Sequence, residues 1–396
     1  MAPGVTGAGP VAPLRQDRVR TLRWGATNVE LPEVVRHLRR MEIALAERAG
    51  DPGEHPNPRN CALNLVVTLA DHHRAEASDR LIASLGPSHP LRAILLHLGG
   101  GTGPGTLDAE ITSEAHQLFE DFAVEREQVL LHVRGEAAEH LSSLVEPLLV
   151  PDVPTYLWWS GREPLDSQAL QEAIGFSDVL VVDSTRFERP AEALRQLAAL
   201  IDRPDVRIGV ADFRWGRLRP WRDAIGQFFA PARRRAFLPG LQEVTAESAG
   251  SGPASRVGAA LLAGWAAAAL GWRFTGVEAA GPDGTQAIAE TLAGSGVRLA
   301  LRSVPDSQLD EGELLAVRIT SRAGDEDCFL AIERDPEGGH ARVSIDMGGE
   351  PTLHQRLTLP RLGDPDLLVQ VLWVSQRDPV FERSLVAATD LLEALR

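Results

Sequence analysis

The alternation of apolar and polar positions divides the chain into two halves with different rhythms. In the first half, short apolar runs alternate with segments whose apolar residues recur at helical spacing. LPEVVRHLRRMEIALAERA (residues 31–49) predicts a helix with Pro32 in its first turn. CALNLVVTLA from Cys61, RAILLHLG, VPTYLWWS and DVLVVDSTRF predict buried strands, while DHHRAEASDRLIASLG, SQALQEAIGF and PAEALRQLAALI predict helices. LDAEITSEAHQL alternates like an edge strand, EREQVLLHVRG fits a strand or a helix, and GEAAEHLSSLVEPLL reads as a helix. Strands separated by helices predict a largely parallel sheet with helices on both faces.

The second half opens with ADFRWGRLRPWRDAIGQFF, a strand end and turn leading into an amphipathic helix near Pro220. SRVGAALLAGWAAAALGW is apolar on most faces and predicts an interior helix. VRLALRSV, ELLAVRITSR, DCFLAIERD, HARVSIDMG and PTLHQRLTLP follow as strands between Gly, Asp and Pro turns, and a helix runs from Asp378 to Arg396. The expected fold class is therefore α/β: an N-terminal, largely parallel sheet with helices on both faces, followed by an α+β domain with an antiparallel sheet. The boundaries drawn are a disordered Gly/Pro/Ala-rich leader over 1–18, an N-terminal domain over 19–208 and a C-terminal domain over 209–396.

A length of 396 residues agrees with two cores rather than one. The formal charge of −15 argues against a surface built to follow a nucleic-acid backbone. All 40 basic residues are Arg, so a Walker A lysine, a Schiff-base lysine and a kinase-type phosphate lysine are impossible here. Cys61 and Cys328 stand alone, which supports neither a disulfide scaffold nor a cysteine metal site. The start MAPGVTGAGPVAPL lacks the pattern of a signal peptide, and no run is long and apolar enough to span a membrane. A cytoplasmic protein without a membrane or nucleic-acid partner is expected.

Several segments could carry chemistry. The strand ends of the first sheet, where open α/β sheets bind ligands, carry Asp71-His72-His73, Gly99 to Gly105, Ser160-Gly161-Arg162 and Asp183-Ser184-Thr185-Arg186. The glycine run lacks both the GxGxxG and the GK[ST] patterns, and Pro104 removes a donor. His72 and His73 have no metal-ligand spacing to accompany them, and His132, His140, Asp183 and Ser184 lack a nucleophile elbow. No catalytic or metal-ligating set is identified, no cofactor is expected, and cofactor-binding residues are unassigned. Trp158 and Trp159 are adjacent on a strand and must face opposite sides, so one is presented outward unless both sheet faces are packed. Arg214, Arg217, Arg219 and Arg222 lie among Trp215 and Trp221, followed by Arg233-Arg234-Arg235. Such a cluster suits bidentate carboxylate or phosphate contacts, a protein hot spot, or pairing with the chain's own carboxylates at the domain junction.

VEPLLVPDVPTYLWWSG (145–161), DVLVVDSTRF (178–187) and ADFRWGRLRPWRDAIGQFF (211–229) together resemble the glucose-6-phosphate dehydrogenase assembly protein family, OpcA. The resemblance extends over most of the chain after the leader. It implies a non-catalytic protein that binds glucose-6-phosphate dehydrogenase and promotes its assembly or activation. The partner contact is placed on Trp158, Trp159, Arg214, Trp215, Arg217, Arg219, Trp221 and Arg222, whose aromatic and Arg groups suit buried anchors. It carries over no catalytic residues. The alternative is a sugar-phosphate or nucleotide-binding enzyme or sensor using the N-terminal strand ends.

Overall fold

The computed structural model describes residues 19–46, 61–69, 85, 90–99, 105–119, 122–160, 165–281, 284–291, 294–305, 308–337, 339–372 and 377–395. The expected leader over 1–18 and the Asp71-His72-His73 segment lie outside them.

Eight strands form the first sheet: β1 (Val19–Ala26), β2 (Leu63–Leu69), β3 (Leu91–Gly99), β4 (Thr106–Phe119), β5 (Phe122–Arg134), β6 (Thr155–Trp159), β7 (Val179–Val182) and β8 (Gly209–Asp212). Their order is β1-β4-β5-β3-β2-β6-β7-β8, with every neighbour from β5 to β8 parallel and the β1/β4 and β4/β5 pairs antiparallel. Numbered along the chain, the six parallel strands lie in the order third, second, first, fourth, fifth, sixth. That is the arrangement of doubly wound dinucleotide-binding sheets, with its switch point between β2 and β6. β4 is not an edge strand as its alternation suggested, because β1 pairs along its outer side. The sheet also runs past position 208, since β8 completes it.

Both faces of the sheet are packed, which is why β2 and β6 are buried throughout. On one face, Val66, Ile94, Leu157 and Leu180 share a core with Leu38 of α1 (Leu31–Ala46), Leu144 of α2 (Leu141–Val145), Leu170 of α3 (Gln168–Gly175) and Leu194 of α4 (Pro190–Asp202). The single helix expected over 135–149 is broken into a 3-10 turn, α2 and a second 3-10 turn. Gly135 enters it at a φ of 71°, and Pro147 cannot continue an α-helical ladder. On the other face, Leu65, Val67, Leu95 and Val181 meet Leu367, Leu368 and Leu372. These last residues belong to a helix near the far end of the chain.

Four helices follow the first sheet: α5 (Phe213–Arg217), α6 (Arg219–Phe229), α7 (Ala232–Arg235) and α8 (Val257–Leu270). The second sheet contains β9 (Leu241–Ala249), β10 (Arg273–Gly281), β11 (Gly284–Glu290), β12 (Gly296–Val304), β13 (Leu314–Ala323), β14 (Glu326–Arg334), β15 (His340–Met347) and β16 (Leu353–Thr358). Its order is β10-β11-β12-β9-β13-β14-β15-β16, and of these pairs only β12/β9 is parallel. Helices α9 (Asp364–Leu372) and α10 (Pro379–Ala394) close the described chain. α8 is interior, as its uniform apolarity predicts, and packs on α10 at Gly264, where an added Cβ would stand 2.4 Å from the Ser384 carbonyl oxygen. Among the described residues no helix is long and apolar enough to cross a membrane.

Candidate functional site

The charged residues of the DVLVVDSTRF and ADFRWGRLRP segments converge where β7 and β8 end. Asp183 follows β7 and caps the 3-10 turn Ser184–Arg186, accepting from the Thr185 amide at 3.3 Å and the Thr185 hydroxyl at 2.6 Å. Asp212 ends β8 and caps α5, accepting from the Arg214 amide at 2.9 Å and, across the strand gap, from the Ser184 amide at 3.1 Å. Two parallel strands therefore deliver two buried carboxylates side by side, each ending in a capping aspartate because a helical turn follows.

Three arginines surround this pair. Arg217 donates to Asp183 at 2.8 Å and to Asp364, the first residue of α9, at 2.6 Å. Arg186 donates to the same Asp364 at 2.5 Å and lies 3.2 Å from Asp183. Arg214, only 4% exposed, reaches in the other direction, donating to the carbonyls of Gly312 at 3.0 Å and Glu311 at 3.2 Å just before β13. Burial opposes ionisation of Asp183, yet Arg217, Arg214 and Arg186 with the Thr185 hydroxyl hold its carboxyl down at about 2. Burial and the neighbouring Asp183 charge push Asp212 up to about 6. Asp212 Oδ2 has no hydrogen-bond partner among the described residues. The three aspartates and three arginines are equal in formal charge, so the network is internally neutral.

A cavity of about 170 Å³ adjoins this network between β8, α5, α6, α9 and α10. Trp215 stands in its wall, donating from its indole to Asp378 at 3.2 Å and packing on Phe381 with ring centroids 5.5 Å apart. The Arg222 guanidinium lies 3.3 Å over the Trp215 ring, and burial pushes its pKa down to about 10.

The eight residues expected to meet a partner have different surroundings. Trp158 packs on Phe213 in the core beneath α9, with ring centroids 5.4 Å apart, and Trp159 is buried under the opposite helical layer. Both sheet faces are covered, so neither ring is presented outward. Trp215 and Trp221 are likewise core residues, and Arg214 and Arg217 are spent on the internal network. In the isolated chain these six are not surface anchors. Arg222 is half-buried over Trp215, and Arg219 is exposed, 3.7 Å from Asp223.

His132, His140, Asp183 and Ser184 are not brought together. β3, β2 and β6 separate β5 from β7, a distance on the order of 19 Å at the spacing of paired strands. Among the described residues no group of His, Cys, Asp and Glu could hold a metal. At the switch point, β2 is followed by no glycine until Gly86 in the sequence, and β3 ends in His97-Leu98-Gly99 rather than an acidic residue. The glycine turn that lets a backbone approach a pyrophosphate and the carboxylate that binds a ribose are both missing from their usual places. The sequence had offered Asp183 and the arginines separately. What it could not offer was Asp364, which lies 147 residues from Arg217.

Comparison with known proteins adds a separate line. Residues 83–199 match a family described as the glucose-6-phosphate dehydrogenase subunit N-terminal domain, and residues 208–385 match the corresponding C-terminal domain. A Nostoc punctiforme protein bearing the name OxPP cycle protein OpcA is 24% identical over 400 residues, covering 98% of this chain and 80% of that protein. Proteins of the same name from Synechococcus elongatus and Synechocystis are 26% and 28% identical; the chain matches 57% and 30% of their lengths with 64% and 37% of its own. Among solved structures, a 3-ketoreductase from Actinomadura kijaniata is 12% identical with a TM-score of 0.45, covering 85% of this chain and 97% of that one.

Proposed function

The chain belongs to the OpcA glucose-6-phosphate dehydrogenase assembly family, and from that premise we propose that it is a non-catalytic subunit that binds the dehydrogenase and favours its assembled, active form. The observation that carries this reading is the succession of two family domains, both named for a subunit of that enzyme, along 83–199 and 208–385. The site chemistry supports it: the strand-end carboxylates are closed into an internally neutral network, and the dinucleotide-type strand order lacks the glycine turn that would seat a cofactor. A partner shifts an assembly equilibrium only by the difference in its affinity for the two states, so the effect must saturate with complex formation. The contact is placed on the α5–α6 segment, with Arg219 as its accessible cation and the tryptophans holding the segment from beneath.

The test is a titration of the purified chain into the dehydrogenase of its own organism. NADPH formation is followed across glucose 6-phosphate concentrations while light scattering reports mass. Saturable activation with a heavier complex is expected. A heavier complex without activation would overturn the activating role, and no complex would overturn the partnership. Saturable binding of NADP or glucose 6-phosphate to the isolated chain would instead favour the ligand-binding alternative.

A further inference from the structure

The second half of the molecule holds a cavity that the network at β7 and β8 does not use. Its volume is about 290 Å³, roofed by α6 and α8 and floored by β9 and β13. The space exists because α8 turns small side chains, Ala266 and Ala269, toward it, while Phe229, Trp265 and Trp272 form its walls. Apart from the tryptophan indoles, the only lining residue with a polar side chain is Arg235. An apolar cavity of roughly 150 Å³ is large enough to take up benzene, so this one has space for a body about twice that size.

Arg235 sets the polarity of the ligand. It sits on α7 with Arg233 and Arg234, whose guanidinium groups are already engaged by Glu350 at 3.0 Å and the Phe228 ring at 4.9 Å. Arg235 is exposed and donates to the Ala230 carbonyl at 2.6 Å, with no carboxylate partner among the described residues. A guanidinium carries five donors, so most of its capacity faces the cavity rim and solvent. In a chain of net charge −15, Arg235 is thus the one cation among the described residues that line an otherwise apolar cavity.

We propose that this cavity binds a medium-chain carboxylate, its hydrocarbon body between α8 and the β9/β13 floor and its carboxylate on Arg235. The fit is of shape and charge together: an apolar enclosure excludes sugars and nucleotides, whose hydroxyls would be left unsatisfied, and the single rim cation selects a single anionic head. Arg219 is not among the residues that line the cavity, and ligand binding needs no dehydrogenase, so it is tested on the full chain alone.

Isothermal calorimetry with hexanoate, octanoate, decanoate and decan-1-ol at pH 7.5 provides the test. Affinity is expected to rise about fourfold per methylene until the cavity is full, following the transfer free energy of a buried CH₂. Arg235→Gln should weaken decanoate about tenfold and leave decanol unchanged. Ala269→Leu should weaken both at least tenfold, with thermal melting confirming that the variant is folded. No saturable heat with decanoate below its micellar range would overturn the site. Equal decanoate affinity in Arg235→Gln would overturn the anionic head, and equal affinity in a folded Ala269→Leu would move the ligand elsewhere. If Ala269→Leu fails to fold, the Arg235→Gln comparison decides.

Discussion

Replacing Asp212 by Asn probes the carboxylate pair directly, because it keeps the shape and the acceptor oxygen that caps α5 while removing the titrating group. Asp212 is 3% exposed, its Oδ2 has no partner among the described residues, and burial with the Asp183 charge pushes its carboxyl up to about 6. A carboxylate whose folded pKa is raised above its unfolded value binds a proton in the native state at pH values where the unfolded chain has already lost it. Stability therefore falls as pH rises from about 4 to about 6 and stays low above that. From the model value 3.8 to about 6 the loss is about 3 kcal/mol, at 1.36 kcal/mol per unit. Asn has no such loss, and its amide nitrogen in place of Oδ2 carries a cost that does not vary with pH. Relative to wild type, Asp212→Asn should thus gain about 2 kcal/mol between pH 4.5 and pH 8, the remainder of the loss lying below pH 4.5, whatever its offset at either end. Urea unfolding of both proteins at pH 4.5, 6 and 8 measures this. A difference in stability that is flat with pH, or that favours Asp at high pH, would refute the reasoning and show that Arg214 and Arg217 stabilise the charge more than burial penalises it.

Other perturbations test the neighbouring groups. Asp183 is held at about 2, so it contributes about 2.5 kcal/mol above pH 4 that is lost as pH falls from about 4 to 2; Asp183→Asn should show that deficit in urea melts at pH 7. Arg217→Met leaves two buried or half-buried aspartates short of a partner, and should cost about 3 kcal/mol and speed amide exchange in residues 364–372. Trp158→Ala should cost about 3–5 kcal/mol of stability as a core deletion, whereas Arg219→Ala should change stability by less than about 0.5 kcal/mol and weaken dehydrogenase binding. Gly264→Ala forces α8 away from α10 and should lower thermal stability by about 1–3 kcal/mol, checked by calorimetry.

The sequence pattern carried the strands buried over most of their length. β2, β3, β6 and β7 read as apolar runs because they lie in the interior of a sheet packed on both sides. β5 stayed ambiguous between strand and helix, and pairing with both β3 and β4 decides it as a strand. The fate of the tryptophans was not legible for a related reason. Whether Trp158 is an anchor or core depends on what covers its sheet face, and the cover is α9, which joins the strand through contacts such as the Tyr156 hydroxyl donating to the Leu372 carbonyl at 3.3 Å. A local window cannot see a partner about 200 residues away. The same holds for the charges: DST and DFRWGR each announce a capped turn, but their mutual pairing exists only because β7 and β8 are neighbours.

That pairing also ties the two sheets together. Arg217 ties Asp183 at the end of the first sheet to Asp364 on α9, and Arg214, one turn earlier on α5, holds the carbonyls of Glu311 and Gly312 at the entrance to β13. A shift of the first sheet against the second would separate Arg214 from both carbonyls and leave its guanidinium buried without acceptors. The cost of an unpartnered buried charge is several kcal/mol, more than a surface contact supplies. The aromatic and aliphatic packing of Trp215 on Phe381 and of α8 on α10 adds apolar area to the same joint. If the dehydrogenase binds at Arg219 as proposed, it would meet a segment tied to both sheets, and the energy of that contact would be available to select among states of the enzyme rather than being consumed in reshaping its partner.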